Sequence, residues 1–224
     1  MSDPFDTFSL QPRPWLDPAE LQSRFHALAA KHHPDAAHAN TNEPFQKDLQ
    51  LNSSNGDDAT TVLATDAHPD KGAELHFLEI NEAHKTLKDP VTRLHHLLTK
   101  VAPSELEVQK SGSVSVDMSE RFLQVATILR ETAAFREQQS LSLSPVTRAV
   151  LRAEHLSLRR DLDRTLARMD ELWNQCEHQI QAADAVWERR TPGILRQLAT
   201  IQREMSYLQK WRVQLREARL LMSI

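Results

Sequence analysis

The chain is poor in the residues that most site chemistry requires. It has one cysteine, Cys176, four glycines, one tyrosine and only 5% aromatic residues. A lone cysteine excludes an internal disulfide, a Cys-x-x-Cys zinc site and a cysteine-ligated cluster within one chain. There is no glycine-rich phosphate loop, no nucleophile elbow and no pair of carboxylates in an apolar setting, so we expect no catalysis and no cofactor. No apolar run is long enough to span a bilayer. The first residues, Met1-Ser2-Asp3-Pro4-Phe5-Asp6, are acidic and have neither the apolar stretch of a signal peptide nor the arginines of a transit peptide. The cytoplasm is therefore the expected compartment. Neither sign of charge dominates. The 27 Lys and Arg and 31 Asp and Glu give a net charge of −4, with no basic footprint for nucleic acid.

What is present is leucine, alanine, glutamine, glutamate and arginine in abundance, the composition of packed helices rather than a sheet. At 224 residues, one or two small domains are expected. No internal repeat is visible. Asp17-Pro18-Ala19-Glu20 is a helix start with a capping aspartate, a proline at the first helical position and a glutamate placed for a capping box. Leu21, Phe25 and Leu28 follow as one apolar stripe, which Phe8 and Leu10 are expected to cover. The helix runs into His33-Pro34-Asp35. Proline removes a backbone donor and pushes the preceding residue out of the helical region, so this corner is rigid and presents its histidine and aspartate.

Residues 36 to about 72 are polar, acidic and rich in breakers, and read as a long flexible insertion unable to bury enough surface to order itself. Helical periodicity resumes with Leu75, Phe77, Leu78, Ile80, Ala83 and Leu87. Asp89-Pro90 ends that helix and starts another, carrying Val91, Leu94, Leu97 and Leu98. Val101–Val116 reads as a linker. Three long amphipathic segments follow. The first starts at Asp117-Met118-Ser119-Glu120 and carries Val125 and Leu129 as interior positions. The second starts at Ser144-Pro145, with a stripe of Leu158, Leu162, Leu166, Met169, Trp173, Cys176, Ile180 and Trp187. The third starts at Thr191-Pro192, with Leu195, Leu198, Ile201, Met205, Leu208 and Leu215. Apolar faces this narrow need each other, which predicts a three-helix bundle.

A helix entering His33-Pro34-Asp35, with a second amphipathic helix beyond it, resembles the J-domain that activates DnaK-type chaperones. Leu16-Asp17-x-x-x-Leu21-x-x-Arg24-Phe25-x-x-Leu28, Ile80-Asn81-x-Ala83-x-x-Thr86-Leu87-x-x-Pro90-x-x-Arg93-x-x-x-Leu97-Leu98, Phe122-Leu123 and Met205-Ser206-Tyr207-Leu208 together resemble the HscB family, J-type co-chaperones of iron–sulfur cluster assembly. The resemblance implies an all-α, L-shaped protein. Residues 1–101 would be a J-domain, an antiparallel helical hairpin with the insertion, and residues 117–224 a client-binding three-helix bundle. It further implies a DnaK- or HscA-type chaperone contacted by Arg24, Lys31, His33, Pro34 and Asp35, and an IscU-like scaffold protein held by Phe122, Leu123, Ile128, Tyr207 and Glu131. A J-protein with another client and a non-enzymatic helical scaffold are the alternatives. The chain departs from the family at Ala36, where lysine is usual, in a less basic second helix, and in keeping only Glu131 of the client-face acids.

Two further signals compete with this reading. His68-Pro69-Asp70 repeats the tripeptide and is followed by Lys71, but no amphipathic stripe precedes it, so His33 is taken as the functional copy. His26, His32, His33, His38, His84, His95 and His96 lie in the first half without metal-ligand spacing such as His-Glu-x-x-His, and read as solvated surface residues rather than ligands. One outcome can be tested without any structure. Deleting residues 38–70 is expected to leave helicity and the thermal midpoint nearly unchanged, because closure entropy grows slowly with loop length. A large loss of cooperative unfolding in circular dichroism would make the segment structural.

Overall fold

A computed structural model of the chain describes residues 2–32, 71–112, 115–141 and 145–222. His33, Pro34, Asp35, nearly all of the 36–72 insertion and the second His68-Pro69-Asp70 lie outside the described residues. Those described form eight α-helices and one 3-10 turn, with no strand among them. In chain order they are α1 (Pro4–Thr7), α2 (Pro18–His32), α3 (Lys71–Lys88), α4 (Pro90–Val101), α5 (Pro103–Ser111), α6 (Val116–Leu141), α7 (Pro145–Asp184), the turn Trp187–Arg189, and α8 (Pro192–Leu221). The fold is all-α.

Two compact units result: Met1–Gln11 with Leu16–Lys88, and Pro12–Trp15 with Asp89–Ile224. The division therefore falls at Lys88, earlier than the sequence suggests. The cause lies in α4, whose buried Val91, Leu94, Leu97 and Leu98 belong to a helix packed against α8. The stretch read as a linker contains α5, which Pro103 starts and which packs on α4 and α8.

In the first unit, α1 and α2 both pack on α3. Phe25 stacks on His84 with ring centroids 4.0 Å apart, and His32 meets His76 at 4.5 Å. One index rises as the other falls, so α2 and α3 run antiparallel. The core is Phe5, Phe8, Leu21, Ile80, Ala83 and Leu87. Asp17 caps α2 by accepting from the Ala19 N–H at 2.9 Å, as its sequence predicts. Glu20 does not complete a capping box; its carboxylate turns to Arg24 instead.

In the second unit, α6, α7 and α8 form the expected three helices. Asp163 pairs with Arg219, and Asp170 with Arg212 and Arg216, which makes α7 and α8 antiparallel. Arg212 also lies 4.5 Å over the Trp173 ring. The start of α6 is capped by Ser115, whose hydroxyl accepts from the Met118 N–H at 3.2 Å, two positions before the capping aspartate expected from the sequence. Thr191 and Pro192 start α8 as expected.

Residues 12–15 are built into this unit. Asp184 accepts from Arg13 and from the Trp15 N–H, the Trp187 indole donates to the Pro12 carbonyl at 2.9 Å, and Arg93 Nε donates to the Pro14 carbonyl at 2.9 Å. Arg93 is 4% exposed. Burial lowers its pKa to about 10, against the opposing pull of Asp89, Glu177 and Asp184.

Cys176 is buried in α7, and its thiol is pushed up to about 12, first by burial and then by Glu204. We expect it to react with Ellman's reagent at pH 8 only after denaturation. Its folded pKa exceeds the unfolded one, so its contribution to stability is intact below the ordinary thiol value of 9.0 and is lost as pH rises from there toward about 12. Rapid labelling of the native protein would contradict this burial.

Candidate functional site

The expected chaperone-binding set divides at the end of α2. Lys31 is exposed. The neighbouring His32 ring rests edge-on against His76, and its pKa is lowered by burial, then by the charges of His76 and Lys31. Arg24 is differently placed. Its Nη1 donates to the Phe8 carbonyl at 2.8 Å and the Ser9 carbonyl at 2.9 Å, while Nε and Nη2 reach Glu20. Ser9 has φ 50°, in the left-handed region. Arg24 thus braces a strained turn after α1 as well as carrying a charge. Nothing in the sequence signals that role, because the acceptors are backbone oxygens fifteen and sixteen positions earlier.

One histidine overturns the reading of the group as solvated. His84 is half-buried between Phe25 and Phe8, and its Nε2 is buried without a partner among the described residues. Burial, followed by Lys88 and His26, lowers its pKa, so the ring packs as a neutral aromatic. No group of three or more His, Cys, Asp or Glu that could hold a metal ion occurs among the described residues.

The expected client residues are partly assembled. A groove of about 670 Å3 runs between α6 and α7. Leu123, Gln124, Thr127 and Glu131 line its α6 wall, Arg164 and Arg168 its α7 wall, and Ile128 and Met169 are buried beneath. Phe122 and Leu123 are 56% and 62% exposed, an unusual state for large apolar side chains next to one another. The two arginines are held by exposed i,i+3 pairs, Arg164 to Asp161 at 3.0 Å and Arg168 to Glu171 at 2.6 Å. Such pairs are worth little and yield readily to a partner.

Two placements differ from the sequence reading. Ile128 is 5% exposed and is a core residue, not a flank residue. The buried seam of α6 is Val125, Ile128, Thr132 and Phe135, with Leu129 at its edge. Tyr207 does not join the groove; it is half-buried on α8 beside His95 of α4 and Leu106 of α5. We therefore expect Ile128→Ala to cost about 2–4 kcal/mol in chemical denaturation. Leu123→Ala, by contrast, should change stability by less than about 0.5 kcal/mol. Equal losses would show that Leu123 belongs to the core.

A helical hairpin unit and a helical bundle bearing an exposed apolar groove place the protein among two-unit all-α proteins. Its fold is that of a solved chaperone. The chain is similar to Chaperone HscB from Vibrio cholerae over 99% of its own length and 99% of that chain, with a TM-score of 0.53 and 14% sequence identity. No family model matches the sequence, and no curated protein matches it. Among the described residues, no helix is long and apolar enough to cross a membrane.

Proposed function

We propose that the chain is a non-catalytic J-type co-chaperone of the cytoplasm. In this reading α2 and α3 hold His33-Pro34-Asp35 against a DnaK- or HscA-type chaperone and stimulate its ATP hydrolysis. Residues 1–101 and 117–224 act as the chaperone-facing and client-facing parts. The α6–α7 groove holds an IscU-like scaffold protein for iron–sulfur cluster assembly. The observation that carries the reading is the exposed Leu123 lining a charged-walled groove, with exposed Phe122 next to it in the sequence, on a chain with the HscB fold.

The chemistry of each part follows from its residues. In this reading Asp35 accepts a charge-assisted hydrogen bond from a chaperone cation, which is stronger than a neutral one. Lys31 offers the complementary charge to an acidic chaperone surface, and Arg24 keeps the turn after α1 in place beside it. In the groove, Leu123 supplies apolar contact, Glu131 takes a client cation, and Ile128 forms the floor; exposed Phe122 adds apolar contact next to Leu123. Tyr207 acts from another face, so it belongs to the client surface only if the client wraps the bundle. Holding chaperone and client on one chain raises the effective concentration of each for the other.

The test is ATP turnover by a purified DnaK- or HscA-type chaperone, with and without IscU, alongside calorimetry of IscU binding. Stimulation by the chain that IscU increases further supports the whole reading. Arg164 and Arg168 beside the groove favour a second reading, a J-protein whose client is more acidic than IscU. Stimulation without IscU binding selects that one. The absence of any stimulation leaves a helical scaffold.

A further inference from the structure

A second concavity in the bundle unit is unused by the co-chaperone reading. It measures about 320 Å3 and lies where α8 meets α4 and α5. Arg203, Ser206, Tyr207 and Lys210 line it from one face of α8, at the spacing that puts residues three, four and seven apart side by side. His95 faces it from α4. The lining thus gathers two fixed cations, an imidazole and two hydroxyls, and among the described residues it contains no carboxylate. On a chain of net charge −4, such a collection is not the average surface.

Arg203 and Tyr207 are also held in place. The Arg203 guanidinium donates from Nη2 to the Gly112 carbonyl at 3.1 Å, which ties it to the end of α5. The Tyr207 ring lies 5.9 Å from that of the buried Trp211. Lys210 is exposed, and no ion pair engages its ammonium among the described residues. Two cations seven positions apart on α8, faced by the His95 ring from α4, suit a doubly charged anion better than a singly charged carboxylate. The volume is that of a small-molecule site rather than a protein interface.

We propose that this cavity binds the phosphoryl group of a small phosphate compound. Arg203 and Lys210 neutralise the charge, and His95 and Tyr207 donate to the remaining oxygens, while the Ser206 hydroxyl, which donates to the Arg203 carbonyl at 2.7 Å, lines the wall.

The test is calorimetry of the full chain at low salt, with inorganic phosphate and with a nucleoside monophosphate as separate probes. Saturable binding is expected, weakening as salt rises. Lys210→Gln is expected to raise Kd about tenfold or more, the loss of one charge-assisted contact. Arg159→Gln removes the same charge from an exposed position of α7 outside the cavity and should leave Kd unchanged. Tighter binding of the nucleotide would mean that the organic part fills the cavity; equal binding would identify free phosphate as the ligand. Three results would overturn the proposal: no saturable binding of either probe up to about 10 mM, no change with Lys210→Gln, or equal weakening by both variants.

Discussion

His33→Gln is expected to abolish stimulation of the partner ATPase while leaving the protein folded. The described core of the hairpin unit is Phe5, Phe8, Leu21, Ile80, Ala83 and Leu87, and it closes around α1, α2 and α3. Helicity and thermal midpoint should therefore match the wild type. A charge-assisted hydrogen bond made by the same corner is worth about 1.5–3 kcal/mol. Asp35→Asn should accordingly weaken half-maximal stimulation by roughly ten- to a hundred-fold. The matching variant, His68→Gln, should be silent. If His68→Gln eliminates stimulation and His33→Gln does not, the second tripeptide is the one in use.

Asp184→Ala should be the most destabilising single change in the bundle unit outside its apolar core. Asp184 is 8% exposed and accepts from three donors: Nε and Nη2 of Arg13, and the Trp15 N–H at 3.2 Å. It is also one of three carboxylates whose field favours the charged form of buried Arg93. Arg13 is half in solvent and can rehydrate, which limits the loss. The Trp15 N–H, on a half-buried residue, loses its acceptor. We expect a loss of about 2–3 kcal/mol, seen in calorimetry as a fall in Tm of about 4–12 °C. Arg13→Ala should cost less, because the carboxylate keeps the Trp15 N–H. An unchanged Tm for Asp184→Ala would show that residues 12–15 hold without it.

Much of the fold is legible in the sequence. The stripes of α7 and α8 are continuous, and most of the residues the periodicity selects are buried; Leu195 is only half-buried, Trp187 lies in the turn beyond α7, and Leu172 and Trp211 join the core beside the stripes. Where legibility fails, the reason is local. The seam of α6 runs through Thr132, a polar residue that breaks the stripe; its hydroxyl is satisfied by the Ile128 carbonyl at 2.7 Å, so it can be buried. Without Thr132, Val125 and Leu129 look like the interior and Ile128 like the flank. The nine-residue α5 buries little beyond Leu106, and it is held by partners on α8, Thr200 for Gln109 and Arg196 for Glu105. Neither contact can be seen from its own sequence. The groove was half legible: adjacent exposed Phe122 and Leu123 are visible as a pattern, whereas Arg164 and Arg168 come from another helix. Tyr207 shows the converse. Its offset from the main stripe was readable, but which neighbours it meets depends on α4 and α5.

The contacts of Pro12–Trp15 bear on how the chain comes to be assembled. Arg13 and Asp184 stand 171 positions apart. During synthesis, residues 12–15 leave the ribosome long before their partners Asp184 and Trp187, which are made only when the end of α7 is complete. Loops of this length close slowly, because their entropy must be spent before any contact repays it. Pro14, which ends buried, and Trp15, which ends half-buried, must meanwhile wait in solvent. A nascent chain halted before Asp184 has a finished α2 but no completed bundle unit, and a fragment starting at Asp89 can make the three helices without their first four residues of packing. For this protein, residues 12–15 are made well before the second unit can close around them.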